Sequence, residues 1–507
     1  NASPAAAPAP PTDAPDPGPI APAPQISGNA ISSTPAVLQV PATSSLFDPY
    51  YGSVQSRPAR PEVLPLSLDD ALRLGLENNL GLVYARQGEQ QQHAQTLTLL
   101  NVLLPNVDVQ GSHSLRQLNL EAQGFRPGLL AQLGPALGGG RSGAFPFLVK
   151  VNETEGQANL SQYLFNLAGY DAVRAFQHSE RAARMSSSSS RGLVVLNVGT
   201  AYLRAVAAQS NLDNARTLLK TDEAVLYQST EMHKAGVTAN LDELRSRVQY
   251  QTQQQSVIAA DNTLSKAKIA LNRSIGLAPD QQVQLTDAAP YASLDTMQIE
   301  AALRQALATR QDYRSLLEQL RTAEYERKAA THERLPTLIF RSNYGITGTN
   351  GGVYHDTWQA TGTLNIPVFE EARFRSDRDT ADFQLQNLRA RIANLEGQID
   401  QQLRDSLVDL RTTAELVRVA RSNVDLATTE LEQSTQRFQA GVEDNLPVTQ
   451  SQSTLAQAQT QYVTAVFQFN QARLSFARNL GLIDQGYLPS VEGGRPAGLK
   501  NGSHPGP

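Results

Sequence analysis

Trp358-Gln359-Ala360-Thr361-Gly362-Thr363-Leu364-Asn365-Ile366-Pro367-Val368 alternates without a slip. Trp358, Ala360, Gly362, Leu364, Ile366 and Val368 fall on one side of an extended chain, and Gln359, Thr361, Thr363, Asn365 and Pro367 on the other. About ten such residues are what a tilted strand needs to cross a bilayer. A partner run precedes it, with Leu338, Phe340, Tyr344 and Ile346 opposing Arg341, Asn343 and Gly345, and a short loop from Gly348 to Gly352 joins the two. No uninterrupted apolar stretch approaches the ~18 to 20 residues of a spanning helix. If this chain enters a membrane, strands must carry it.

The strand pair occurs twice because the chain contains itself twice. Leu66 to Pro105 aligns without a gap on Met297 to Pro336, so that Ala71 and Leu72 meet Ala302 and Leu303. Further on, Gln228-Ser229-Thr230, Ala235-Gly236-Val237, Asn240-Leu241 and Arg273-x-x-Gly276-Leu277 return 205 positions later as Gln433-Ser434-Thr435, Ala440-Gly441-Val442, Asn445-Leu446 and Arg478-x-x-Gly481-Leu482. Matched blocks in one order mark two copies of one unit of roughly two hundred residues. The division that follows is 1–62, a Pro/Ala-rich flexible segment; 63–288, the first unit; 289–484, the second; and 485–507, a flexible tail. In the first unit Val107, Val109 and Leu115, then Ala158, Leu160 and Leu164, outline strands at about 106–115 and 157–165, and the second unit's lie at about 337–346 and 358–368. Gly134 to Gly143 reads as an external loop: Gly138-Gly139-Gly140 has no following lysine and so no phosphate cradle.

Helical patterning fills the remainder. A serine cap at Ser67 opens a helix expected to reach Leu104 before Pro105 stops it, and its twin runs from about Gln298 to Leu335. Leu167 to Lys234 and Glu371 to Gln439 contain no proline and read as very long helices, each on the order of 100 Å at the usual rise per residue. Glycine breaks at Gly236 and Gly441 reverse the chain. In the returning helices Val448, Leu455, Tyr462, Phe469 and Phe476, and in the first unit Tyr250, Val257, Leu264 and Leu271, keep a seven-residue seam. Ala458, Ala465 and Ala472, like Ala260 and Ala267, let neighbouring axes approach. Ser186 to Ser190, with Gly192 and Gly199, predict a weak point or kink.

The 507 residues carry 43 basic and 48 acidic side chains, well mixed, for a net charge of −5, and no cysteine. No basic stripe suits nucleic acid, and thiolate metal sites and disulfides are excluded. Seven histidines form no ligand set, and no nucleophile or paired base stands out, so neither cofactor nor catalysis is expected. The chain opens at Asn1 without a basic start or an apolar signal core, as expected of a mature or trimmed form.

The order helix, strand, loop, strand, long helix, glycine turn, helix, given twice, resembles the outer-membrane efflux protein family of Gram-negative bacteria, the TolC-like channels. The resemblance covers about residues 64 to 484. It rests on Leu68-Asp69-Asp70-Ala71-Leu72 with Asn78-Asn79, Leu104-Pro105 and Leu335-Pro336, Tyr163-Leu164-Phe165 and Ile366-Pro367-Val368-Phe369, the Ala-Gly-Val turns and Arg478-Asn479-Leu480-Gly481-Leu482. It implies a mainly helical fold with membrane strands: a homotrimer in which four strands per protomer build a twelve-stranded barrel in outer-membrane lipid, continued by a coiled-coil cylinder in the periplasm. Physics agrees, because four strands cannot close on themselves and an open edge in lipid leaves backbone groups unpaired. The implied function is a passive duct for an inner-membrane pump or secretion system. A periplasmic adaptor would meet the turns at Gly236, Val237, Asn240, Leu241, Gly441, Val442, Asn445 and Leu446. Asp242, Glu243, Arg245, Glu443 and Asp444 are candidate gate charges, although carboxylates there also simply favour the positive end of the returning helix. Pro447 stands where the first unit has Asp242. The competing reading is a periplasmic coiled-coil adaptor or stalk without a pore, which would not need the strand from Trp358 to Val368.

Overall fold

The structure, a computed structural model, describes residues 50, 52–54, 58–119, 148–237, 239–287, 298–349 and 352–483. In chain order these form β1 (Leu64–Leu66), α1 (Leu68–Asn78), α2 (Leu80–Leu100), β2 (Asn106–Asn119), β3 (Leu148–Phe165), α3 (Leu167–Lys234), α4 (Asn240–Ile275), β4 (Val283–Leu285), α5 (Ile299–Thr309), α6 (Gln311–His332), β5 (Thr337–Thr349), β6 (Tyr354–Asn365), α7 (Glu371–Gln439) and α8 (Leu446–Asn479). The loop around Gly134 to Gly143 and the tail 485–507 lie outside the described residues.

Ser67 caps α1 through its hydroxyl, which accepts from the Asp70 amide at 3.2 Å. The single helix expected to follow is two. Asn79 adopts an extended backbone, and its Oδ1 accepts from the amides of Gly81 at 2.9 Å and Leu82 at 3.3 Å, ending α1 and starting α2. The second unit breaks at the matching position, 231 residues on, at Arg310. There the buried guanidinium grips Asp312 at 3.1 and 2.6 Å and donates to Gln402 Oε1 at 2.9 Å. One unit turns its helix with an amide and the other with an ion pair.

Residues 1–62 were expected to be flexible, yet their described portion is seated. The Tyr50 ring fills the space over Gly81, its hydroxyl lies 2.9 Å from Ser190 Oγ, and Asn79 Nδ2 donates to its carbonyl at 2.9 Å. Gln281 accepts from the Arg60 amide at 2.7 Å and donates to the Glu62 carbonyl at 2.9 Å. β1 then pairs in parallel with β4. The proline-poor end of the segment has partners that composition alone did not reveal.

α3 and α7 run 68 and 69 residues. The weak point expected near Ser186 to Ser190 does not interrupt the helix, since α3 passes through without a break. Its small residues sit where neighbours press closest: a Cβ on Gly192 would stand 3.1 Å from Ile483, and one on Gly199 2.9 Å from Leu474. Packing contacts outweigh the propensity lost.

Of the heptad positions, Val448, Leu455, Phe469, Leu264 and Leu271 are at most 6% exposed, whereas Tyr250, Val257, Tyr462 and Phe476 are only half-buried. Apolar clusters tie α3 to α7 and α8 near the turns and, around Tyr202, to α1 and α4. Tyr202 carries its hydroxyl to within 2.8 Å of Asp287 Oδ2, the same oxygen that accepts from the Leu68 amide at 2.7 Å. Burial and this carboxylate push the Tyr202 hydroxyl well above its ordinary range.

The four long strands form one antiparallel sheet in the order β2-β3-β5-β6, leaving β2 and β6 as outer strands. Register sorts the side chains cleanly. Asp108, Asn159, Asn343 and Gln359 lie in one row across the sheet, and Ser112, Glu155, Thr347 and His355 in another on the same face. The opposite face carries Val109, Ala158, Tyr344 and Trp358 in a row, with Val109 81% and Trp358 73% exposed. β6 ends at Asn365 rather than Val368, and β2, β3 and β5 run beyond their expected limits.

Candidate functional site

Two places concentrate exposed, chemically distinct groups: the two-faced sheet and the paired turns at the ends of α3 and α7. Each turn is built the same way. Gly236, at φ 72°, donates its amide to His233 O at 2.9 Å while Val237 donates to Met232 O at 2.9 Å. Gly441, at φ 70°, and Val442 donate to Phe438 O and Arg437 O at 3.0 and 3.1 Å. Both are Schellman caps, which need a residue at positive φ. The repeat of the sequence is thus a repeat of backbone hydrogen bonds.

The turns hold Val237, Leu241, Val442 and Leu446 in solvent, at 66%, 54%, 69% and 48% exposure. They form two repeat-related pairs, and Gly236, Gly441 and Asn240 are exposed beside them. Asn445 differs: expected with this surface group, it is fully buried. Its Nδ2 donates to the Asp242 carbonyl at 2.6 Å and to Ser246 Oγ at 2.8 Å, so it clasps the second hairpin to the first. A sequence cannot show which way a turn residue faces, and Asn240, its counterpart, faces outward.

The charged candidates also sort themselves. Arg245 lies 3.6 Å from Asp242 Oδ1 and 3.4 Å from Asp444 Oδ2, bridging the hairpins. Asp444 additionally accepts from the Leu446 amide at 3.2 Å, capping α8. Glu243 is held within its own helix by Arg247 at 2.6 Å, and Glu443, in the turn, is held by Arg437 of α7 at 2.8 Å. The hydrogen bond that Lys234 donates to Glu231 holds its amine above its ordinary value. Three of the five candidates therefore meet in one cross-hairpin cluster and two do not.

Sequence reading missed a pair of serine contacts: Ser229 and Ser246 stand 2.9 Å apart, and Ser434 and Ser451 3.0 Å. The signal was present, since both members recur 205 positions on and the first sits in the repeated Gln-Ser-Thr block. Among the described residues no cluster of ligating side chains could hold a metal ion, and no helix is long and apolar enough to cross a membrane.

Residues 302–482 match a family model described as "Outer membrane efflux protein". The pyoverdine export outer membrane protein OpmQ of Pseudomonas putida is 24% identical over 426 residues, which are 82% of this chain and 85% of that protein. A membrane protein from Pseudomonas aeruginosa shares the fold at a TM-score of 0.69 and 16% identity, over 82% of this chain and 93% of its own. The CmeC outer membrane channel of Campylobacter jejuni does so at 0.65 and 17% identity, over 88% and 94%. The family model matches the second unit, and the fold shared with these channels runs through both units, so the chain is similar to outer-membrane efflux proteins along most of its length.

Proposed function

We propose that this chain is one subunit of a three-copy outer-membrane exit duct, through which a pump or secretion system drives its substrate passively to the exterior. The observation that carries it is the sheet. Its polar face suits water and its apolar face lipid, while among the described residues the outer edges of β2 and β6 leave a row of unpaired amides and carbonyls. Hydrocarbon does not tolerate such edges. Joining β6 of one subunit to β2 of the next removes them, and three sheets of four strands give twelve, wide enough for a water-filled lumen. The units at 63–288 and 289–484 would each contribute two strands and one long hairpin.

In this reading the helices extend the lumen through the periplasm and the turns are its inner end. The exposed Val237, Leu241, Val442 and Leu446 form the surface for a periplasmic adaptor joined to an inner-membrane pump. Arg245 with Asp242 and Asp444, together with the Asn445 clasp, holds that end narrow. The test is direct: the detergent-solubilised protein should weigh three chains and conduct ions in planar bilayers. A monomer that does not conduct would remove the proposal and favour a poreless stalk.

A further inference from the structure

Asp222 lies on α3 between Leu218 and Val225, whose side chains join Ala427, Leu431, Val448 and Leu455 in the cluster uniting the two hairpins. Spacings of four and three residues put its carboxylate on that same face. It is 2% exposed. Oδ1 has no hydrogen-bond partner among the described residues, and Oδ2 reaches only Gln249 Nε2 of α4, at 3.5 Å. Gln452 of α8, 3% exposed, likewise leaves its amide nitrogen unpaired.

Among the described residues no charge offsets it. From Leu446 to Gln471, α8 contains no Asp, Glu, Lys, Arg or His, and Tyr462 is its one titratable group. On α4, Arg245 and Arg247 are engaged with Asp444 and Glu243, and Gln253 donates to the Ala215 carbonyl. On α7, Glu430 accepts from Ser451 at 3.4 Å, and Arg421 and Asp425 are exposed, as are Lys220 and Glu223 on α3 itself. The position matching Asp222 in the second unit is Ala427, so nothing in the repeat demands an acid here.

We propose that Asp222 is a proton-binding site that sets how firmly the α3–α4 and α7–α8 hairpins of one subunit hold together. Neutral, its carboxyl fits the apolar seam; ionised, it favours separation, which lets it reach water. Burial pushes this carboxyl up to about 6 from the ordinary 3.8. Since the seated value is the raised one, the seam is weakest above pH 6 and gains as pH falls from there toward 4. Between pH 8 and pH 5 the opening equilibrium should fall about tenfold. The seam ends at the Asn445 and Arg245 contacts, so tightening it would also hold the tips; only this last step rests on the duct reading above.

Hydrogen exchange on the purified full chain in detergent, corrected for the intrinsic pH dependence of exchange, reads the seam without reference to conduction. In the wild type, peptides spanning 215–229 and 446–458 should open about tenfold less at pH 5 than at pH 8. Asp222→Asn and Asp222→Ala should each show the same opening at both values. An equal pH response in the wild type and both variants overturns the proposal, as does greater opening at pH 5. Planar-bilayer conductance that falls at pH 5 in the wild type but not in Asp222→Asn supports the site and its link to the tips. A pH-dependent seam in a protein that conducts at neither pH supports the site and counts against the duct.

Discussion

Asn445 Nδ2 lies 2.6 Å from the carbonyl oxygen of Asp242, so a side chain of the second unit closes on the backbone of the first. The same amide group reaches Ser246 Oγ at 2.8 Å, and that hydroxyl contacts Ser229 across the first hairpin. One buried residue thereby ties three helix segments together within a short distance of the turns.

Asn445→Ala should cost about 1–3 kcal/mol, because it leaves the Asp242 carbonyl and the Ser246 hydroxyl short of a partner in a buried place. Faster amide exchange confined to 240–248 and 442–450, together with raised single-channel conductance, is the expected signature. Unchanged exchange there would show that the clasp is not holding the tips.

The two kinds of positive-φ glycine separate strain from crowding. A Cβ on Gly236 meets nothing within 4 Å, so Gly236→Ala should cost only the left-handed backbone, about 1–2 kcal/mol. A Cβ on Gly276 would stand 2.6 Å from Asn78 Cβ and 2.9 Å from the Val54 carbonyl, so Gly276→Ala adds an overlap that backbone cannot yield. Thermal unfolding should show a clearly larger loss at Gly276, despite similar φ values of 72° and 83°.

Replacing Val237 and Val442 together by aspartate should abolish adaptor capture and efflux while leaving the mass of the assembly and its conductance unchanged. Both side chains are two-thirds exposed, so their loss has little folding cost. Retained efflux would mean that the partner docks elsewhere.

Arg310 gives a pH prediction. Burial pushes the Asp312 carboxyl up, but the guanidinium on both its oxygens more than offsets this and leaves it below its ordinary value. A lowered seated value stabilises at every pH above the ordinary carboxylate range and is lost as pH falls through it. Wild-type protein should therefore lose stability below about pH 4 more steeply than Arg310→Gln, as read by melting temperature. Parallel acid limbs would mean that the pair contributes nothing.

Much of the architecture was legible because its signals are local. Absence of proline marks the long helices, Gly236 and Gly441 mark their reversal, and strict alternation marks β6. What was hidden depended on contacts distant in sequence. The break at Arg310 carries neither glycine nor proline, and it becomes intelligible only when Asp312 and Gln402 are seen around the guanidinium. β3 begins well before its alternation is readable, because Asn152 to Gln157 is largely polar on both faces and is defined by pairing with β2. Arg245 and Asp444 are 199 residues apart, so their meeting could not be read from either turn alone. The serine run looked like a fault in α3 because its partners, Tyr50 among them, come from other segments.

The unsatisfied borders of β2 and β6 have a consequence for biogenesis. On the three-subunit duct proposed above, a solitary subunit has no arrangement that the hydrocarbon interior would accept, so association and insertion collapse into a single event. Substitutions that weaken contact between subunits should therefore strand soluble or interfacial chains outside the bilayer, instead of yielding dissociated pieces within it.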